Sequence, residues 1–380
     1  MNDTIRTLPT AHGRAAPERD EMTGLLTTIW ERQLQRSPIG VDENFFDLGG
    51  DSLLAITLFL EIAKATGRDL PITTIYEAPT IAELAAMLEQ DATPQFSPLV
   101  LVKAGDDGLP PLFIAHGLGG NVMEIFPVAK RVQSRQPIFA IQAKGVDGVG
   151  VPHERVEDMA RFYLDAIRTV QPRGPYFLAG YSFGGLIALE MAQCLSKEGE
   201  AVAFLGMLDT YPHPQFWPLA CRMSVLARLA RRHAVALMDM AFGDVVPFLM
   251  KRFVRLSTYF GSRRRNRQDT GTSRSSQTSL QLVFDYADAA WTHYRPRFYR
   301  GKVTFLRAGT SLRFPRNPLA MWGGLVQKLD VHTVPGDHMG MVREQADGLA
   351  SCLSSCLHEA YRSQAPFAVL PERCSVRRVV

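Results

Sequence analysis

Tyr176-Phe177-Leu178-Ala179-Gly180-Tyr181-Ser182-Phe183-Gly184-Gly185-Leu186-Ile187-Ala188-Leu189-Glu190-Met191-Ala192 reads as an apolar strand, a tight turn around one serine, and a helix. Gly180 and Gly184 let the backbone fold sharply on either side of Ser182. A Gly-x-Ser-x-Gly string at such a strand-to-helix junction forms a nucleophile elbow, which lifts the serine hydroxyl clear of the sheet. The following helix places its positive end beside that hydroxyl, where negative charge is favoured. Ser182 is the candidate nucleophile.

Outward from the elbow, apolar strand segments recur at Leu112-Ala115, Ile138-Ile141, Val202-Leu208, Lys302-Arg307 and Leu329-Val334. Helical stretches lie between most of them, notably Val156-Val170 and Gly185-Lys197. This alternation predicts a mostly parallel sheet with helices on both faces. The interval Pro212 to Leu280 interrupts it with helical apolar patterns and then a polar, basic run, Ser262 to Ser279, expected to be disordered. An insertion at that point is a loop that function can use.

A serine nucleophile needs a base and an acid, and both occur in the order Ser, Asp, His. His338, in Pro335-Gly336-Asp337-His338-Met339, follows the last strand and is the candidate general base. The loop after Lys302-Arg307 reads Ala308-Gly309-Thr310-Ser311-Leu312 and offers no carboxylate. The preceding strand, Val202-Leu208, ends directly in Asp209, which becomes the candidate acid that orients His338. Asp337, adjacent to the base, reads as a loop residue. His116-Gly117-Leu118-Gly119-Gly120 follows the strand Leu112-Ala115 and occupies the place of an oxyanion loop. Backbone amides near Leu118, with that of Phe183, are the candidate oxyanion donors. His116 reads as a residue that orients this loop.

The first quarter of the chain has a different grammar. Met22 to Leu34 is periodic for a helix, with Leu25, Leu26, Ile29, Trp30 and Leu34 on one face. A loop, Val41 to Leu48, carries Phe45 and Phe46; a second helix starts near Ser52 and stops at Gly67. Thr80 and Glu83 form a capping box for a last helix, Ile81 to Leu88. In Leu48-Gly49-Gly50-Asp51-Ser52-Leu53 the glycines give a tight turn, and Asp51 and Ser52 stand at a helix N-terminus, which suits an anion. Read from the residues alone, the same pair also fits a plain N-cap.

Leu48-Gly49-Gly50-Asp51-Ser52-Leu53 resembles the phosphopantetheine attachment motif of carrier domains, in the form common in nonribosomal peptide synthetases. The likeness runs over residues 21–90 and includes Trp30, Phe45-Phe46, Leu53-Leu54 and Pro79-Thr80. It implies a small all-α four-helix bundle bearing 4'-phosphopantetheine on Ser52, with Asp51 beside it, installed by a phosphopantetheinyl transferase. Residues 99–362 resemble the type I thioesterase domains of nonribosomal peptide and polyketide assembly lines, on an α/β-hydrolase fold. The matching strings are His116 to Gly120, Gln142-Ala143-Lys144-Gly145, Gly180 to Gly185, Leu208-Asp209 and Gly336-Asp337-His338. That family places its acid where Asp209 stands and a helical lid where residues 212–280 lie.

The organisation expected is therefore a flexible segment 1–20, a carrier domain 21–90, a linker 91–98, a thioesterase domain 99–362 with its lid at about 212–280, and a tail 363–380. The resemblance implies that an acyl or peptidyl group passes from the carrier thiol to Ser182 and is released by hydrolysis or cyclisation. Two other readings stand beside it: an acyltransferase passing the acyl-Ser182 group to an external amine or hydroxyl, and a docking module with an inactive hydrolase fold. With Met1 only some twenty residues before the carrier helix, loading is expected in trans, by an upstream adenylation, condensation or acyl-loading enzyme. Arg263-Arg264-Arg265-Asn266-Arg267 reads as a solvated lid loop, with docking of an acidic partner as the alternative.

Composition narrows the remaining classes. A formal net charge of +4 over 380 residues is too mild for a nucleic-acid-binding surface. The most apolar stretch, Ala234 to Met250, is broken by Asp239, Gly243, Asp244 and Pro247, so no membrane span is expected. Met1 to Met22 lacks the apolar core of a secretory signal. Five cysteines without paired metal-ligand spacing read as reduced thiols in a cytoplasmic protein.

Overall fold

A computed structural model of the chain describes residues 15–50, 52–68, 70, 74–89, 96–238 and 276–363. Asp51, the basic run 263–267 and the segments 1–14 and 364–380 lie outside the described residues.

The N-terminal unit consists of α1 (Ala15–Leu34), α2 (Ser52–Thr66), the single turn α3 (Thr74–Glu77) and α4 (Ile81–Glu89). Helix α1 begins seven residues before the expected Met22. Periodicity reveals only the part with a buried face, whereas the polar turns before it extend a helix already nucleated. Leu26, Ile29, Trp30, Phe45, Leu58, Ile62, Ile75, Ile81 and Leu84 form one buried cluster, with the Trp30 and Phe45 rings edge-on at 5.3 Å. The α4 cap forms as its sequence predicts. The Glu83 amide donates to Thr80 Oγ1 at 3.2 Å, and that hydroxyl donates to Glu83 Oε2 at 2.9 Å.

Beyond residue 98 the described strands form a seven-stranded sheet in the order β1-β3-β2-β4-β5-β6-β7. These are β1 (Leu99–Lys103), β2 (Leu112–Ala115), β3 (Ile138–Ile141), β4 (Tyr176–Tyr181), β5 (Val202–Leu208), β6 (Tyr299–Ala308) and β7 (Val326–Val334). All neighbours pair in parallel except β1, which runs antiparallel to β3. Strand β1 was not among the expected segments. It adjoins the proline-containing linker, and only Val100 is buried while Leu101 faces solvent, so its apolar run carries little signal.

Each face of the sheet has its own core. Helices α6 (Val156–Val170) and α7 (Phe183–Lys197) cover one face, packing Tyr163, Ile167, Leu186 and Leu189 against Phe113, Leu178 and Phe305. Helix α5 (Phe126–Arg131) and the C-terminal helix, Ala346–Arg362, cover the other, where Val128, Leu349 and Leu353 meet Ile114, Phe177 and Leu306. The expected insertion contains a 3-10 turn (Pro214–Phe216), α8 (Leu219–Met238) and the start of α9 (Ser276–His293). Helix α9 runs on past Leu280 and buries Ala287 and Ala290 in the first core. A short α10 (Leu319–Trp322) precedes β7, and the C-terminal helix is α11. Among the described residues, no helix is long and apolar enough to cross a membrane.

The helical bundle and the sheet unit touch at α5. The Phe46 and Phe126 rings lie 4.4 Å apart, Lys130 pairs with Asp47, and Met123 packs against the bundle's core.

Candidate active site

The parallel strands β4, β5, β6 and β7 end on one side of the sheet, the side on which open α/β sheets bind ligands. At the end of β4 the chain turns directly into α7. A Cβ on Gly180 would stand 2.1 Å from the Gly184 carbonyl oxygen, and one on Gly184 would stand 2.2 Å from the His116 carbonyl oxygen. Only glycine permits these approaches, and together they force Ser182 to φ 53° and ψ −116°. That conformation is unfavourable for a side-chain-bearing residue. It is held in place by the Ser182 amide, which donates to the Leu208 carbonyl at 2.8 Å.

Asp209 follows β5 and also has positive φ, 47°. It is fully buried. Its amide donates to the Leu306 carbonyl at 2.8 Å, and its Oδ1 accepts from the Ala308 amide at 3.0 Å. The last residue of β6, Ala308, thus supplies a donor that fixes the carboxylate of Asp209. The second oxygen, Oδ2, lies 2.8 Å from His338 Nδ1. An ionised carboxylate only accepts, so Nδ1 carries the proton and Nε2 of the neutral ring is left to accept. That nitrogen lies 2.9 Å from Ser182 Oγ, which donates to it. Ser182, His338 and Asp209, 156 and 129 residues apart in sequence, therefore form one continuous hydrogen-bonded chain.

Three residues of this neighbourhood were not anticipated. Tyr181 stacks on the His338 ring, with centroids 5.1 Å apart and planes 20° apart, and its hydroxyl donates to the His338 carbonyl at 2.6 Å. Phe314 meets the same imidazole edge-on at 4.9 Å and stacks on Tyr211. Glu124 lies against the loop 116–120, where a Cβ on Gly117 would meet its Oε2 at 2.5 Å. Burial pushes its carboxyl upward, with the charges of His338 and Arg343 pulling the other way. Tyr181 was visible in sequence as the residue before the serine. Phe314 and Glu124 sit in loops with no motif to mark them.

Leu118 lies in the turn closed by the Gly120 amide on the Gly117 carbonyl at 3.2 Å, and Phe183 is the first residue of α7. The amides of a helix's first turn have no intrahelical acceptor, so that of Phe183 is available to a ligand. His116 is fully buried. Its Nδ1 donates to the Gly117 carbonyl at 2.6 Å and its Nε2 accepts from the Tyr163 hydroxyl at 2.7 Å. Burial lowers its pKa to about 4, so it is a neutral brace for the loop. Asp337 accepts from the Gly340 amide at 2.8 Å, a bond within its own loop.

Ser52 is the first residue of α2; its side chain and the whole of Asp51 lie outside the described residues. The preceding loop fits an attachment point. Gly49 has φ 94°, and a Cβ on Gly50 would stand 2.4 Å from the Phe45 ring, so the loop folds tightly onto the core. A helix N-terminus suits a phosphodiester.

The families these features belong to emerge on comparison with known proteins. Residues 110–357 match the family described as Thioesterase domain, and residues 24–88 match the one described as Phosphopantetheine attachment site. Malpinin synthetase of Mortierella alpina is 39% identical over 208 residues, 53% of this chain and 3% of that protein. A dimodular nonribosomal peptide synthase of Bacillus subtilis (strain 168) is 31% identical over 299 residues, 79% of this chain and 12% of that protein. The chain thus spans only a small part of the length of these relatives. A four-domain nonribosomal peptide synthetase bound to AMP and glycine shares the fold over 97% of this chain and 27% of its own, at 23% identity and a TM-score of 0.52. The chain belongs to the thioesterase-domain family, preceded by a carrier domain of the phosphopantetheine-bearing kind.

Proposed function

We propose that this protein releases an acyl or peptidyl group, delivered as a thioester on its own carrier domain, through an ester on Ser182, by hydrolysis or cyclisation. The observation that carries this reading is the hydrogen-bonded chain from Ser182 Oγ through His338 to Asp209, at 2.9 and 2.8 Å, in a protein that also has an attachment domain.

When bound to Ser52, 4'-phosphopantetheine supplies the thiol that holds the acyl group. Ser182 Oγ adds to the thioester carbonyl carbon while its proton moves to His338 Nε2. Asp209 holds the ring in the correct tautomer and stabilises the imidazolium. The amides of Phe183 and Leu118 receive the oxyanion. On collapse the carbon–sulfur bond breaks and His338 returns the proton to the departing thiolate. Water, or an amine or hydroxyl within the acyl chain, then gives its proton to Nε2 and displaces Ser182, yielding an acid or a ring. A phosphopantetheinyl transferase and an acyl-loading enzyme of the synthetase kind are the partners this cycle requires. A cytoplasmic setting agrees with the unpaired Cys194, Cys221, Cys352 and Cys356.

The test is intact mass after incubation with a promiscuous phosphopantetheinyl transferase and an acyl-coenzyme A. The acyl-pantetheine adduct is expected to form in every variant except Ser52→Ala and to persist in Ser182→Ala alone. Equal persistence in wild type and Ser182→Ala, across several acyl classes, would overturn the proposal.

A further inference from the structure

On the far face of the sheet, away from Ser182, the fold brings together three residues that sequence spacing leaves apart. His332 is on β7, the edge strand, and Cys352 and Cys356 are one turn apart on α11, which packs over it. One ligand atom from each, an imidazole nitrogen and two sulfurs, lies within 4.8 Å of the others. We propose that this cluster is a binding site for a thiophilic divalent cation of the zinc class, held by His332, Cys352 and Cys356.

The geometry is close to what such an ion needs. Zinc–sulfur bonds of about 2.3 Å place two tetrahedral sulfur ligands about 3.8 Å apart. All three ligand atoms already lie within 4.8 Å of one another, so closing the site asks at most about 1 Å of any pair, a shift that side-chain torsions can supply. The imidazole is also unsatisfied: His332 Nε2 is buried and has no hydrogen-bond partner. Asp330, two residues along the same strand and so on the same face, has its Oδ1 3.6 Å away, longer than a hydrogen bond. Its other oxygen is paired with Lys302 Nζ at 3.2 Å. Asp330 thus stands as the fourth ligand or as the partner of a bound water. Two thiolates and an imidazole select zinc over magnesium or calcium, which take oxygen ligands. Cys352 and His332 are part-exposed, so an ion has a way in, while Cys356 is anchored in the core.

Coordination sends one proton from each thiol to solvent and ties the edge strand to the helix above it. Strand β7 ends at Val334, four residues before His338, so the clamp would stiffen the base of the loop that presents the imidazole. This inference does not depend on the release chemistry.

The experiment is a cobalt(II) titration of the reduced full chain carrying Ser52→Ala, so that no pantetheine thiol competes. One equivalent is expected to develop a near-ultraviolet thiolate-to-cobalt band that zinc then abolishes. The band should vanish in Cys352→Ser, and His332→Ala should weaken binding at least tenfold, with the far-ultraviolet circular dichroism of each variant unchanged. Absence of the band in the parent chain, or a band that survives Cys352→Ser, would overturn the site. Should Cys352→Ser misfold, His332→Ala decides, and unaltered cobalt affinity in it has the same meaning.

Discussion

The Tyr181 ring lies flat against the imidazole of His338 at 5.1 Å, and its hydroxyl donates to the backbone carbonyl of that same residue at 2.6 Å. The residue before the serine therefore grips His338 from two directions, linking the elbow to a loop 157 positions away. Phe314 closes the third side. Tyr181→Phe keeps the stacking and loses the hydrogen bond. A fall in stability of about 1 kcal/mol is expected, together with a several-fold lower kcat and little change in KM. Thermal unfolding and steady-state kinetics with an acyl thioester check it. Unchanged kcat would show that stacking alone positions His338.

Asp209→Asn keeps the shape of the acid but gives it an amide that can donate toward Nδ1. The proton then shifts to Nε2, and that nitrogen can no longer accept from Ser182. A loss of about 10⁴ in kcat is expected by analogy with the same change in serine proteases. The Ala308 amide still has the Asn oxygen to bond, so the unfolding temperature should move far less than the rate. Single-turnover release measured on a pre-loaded carrier reads the effect.

Much of this arrangement was legible in the sequence, and the reason is local. Gly180, Gly184 and Ser182 are within five residues, and the steric demands they meet are demands of the turn itself. Asp209 and His338 could be read because each follows a strand that ends on the same side of the sheet. Phe314, Glu124 and the Tyr163 brace on His116 were not legible, because they meet the site only through loop packing and helix placement. The same holds for His332. Nothing in its neighbours marks it, and Cys352 with Cys356 reads as one helix face until the fold sets β7 beneath α11.

His116 provides a pH prediction. Its folded pKa of about 4 lies below the ordinary value of 6.5, so the unfolded chain takes up the proton first. Its contribution is intact above pH 6.5 and is lost as pH falls toward 4. The loss is about 3 kcal/mol when complete, at roughly 1.4 kcal/mol per unit. His116→Gln should flatten the unfolding temperature against pH across that window, whatever its effect at pH 8. An unchanged slope would mean that other groups dominate acid destabilisation.

Between the bundle and the sheet unit, Phe46 on Phe126 and Asp47 with Lys130 are contacts of unequal weight. The ion pair is largely exposed and worth a few tenths of a kcal/mol, so Asp47→Ala should change release less than twofold. The ring pair instead covers apolar surface on both units. Phe46→Ala is expected to slow release of the acyl group carried in cis several-fold, while hydrolysis of a small free acyl thioester stays the same. Equal loss on both substrates would point to damage within the bundle, where Phe46 also meets Phe45.

The pairing of β1 with β3 carries a last implication. The Gln142 amide donates to the Pro98 carbonyl at 2.9 Å, and its side chain donates to the Ser97 carbonyl at 2.8 Å, so the chain is already fastened to the sheet edge by Ser97. Helix α4 ends at Glu89, only a few residues earlier. A tether of that length spans at most about 30 Å and sets an effective molarity on the order of millimolar for delivery within one molecule. A carrier loaded on a separate protein would have to reach comparable concentrations to compete for Ser182. On the proposed route, fastening the linker at this short antiparallel edge strand would thereby favour the cargo the molecule already holds.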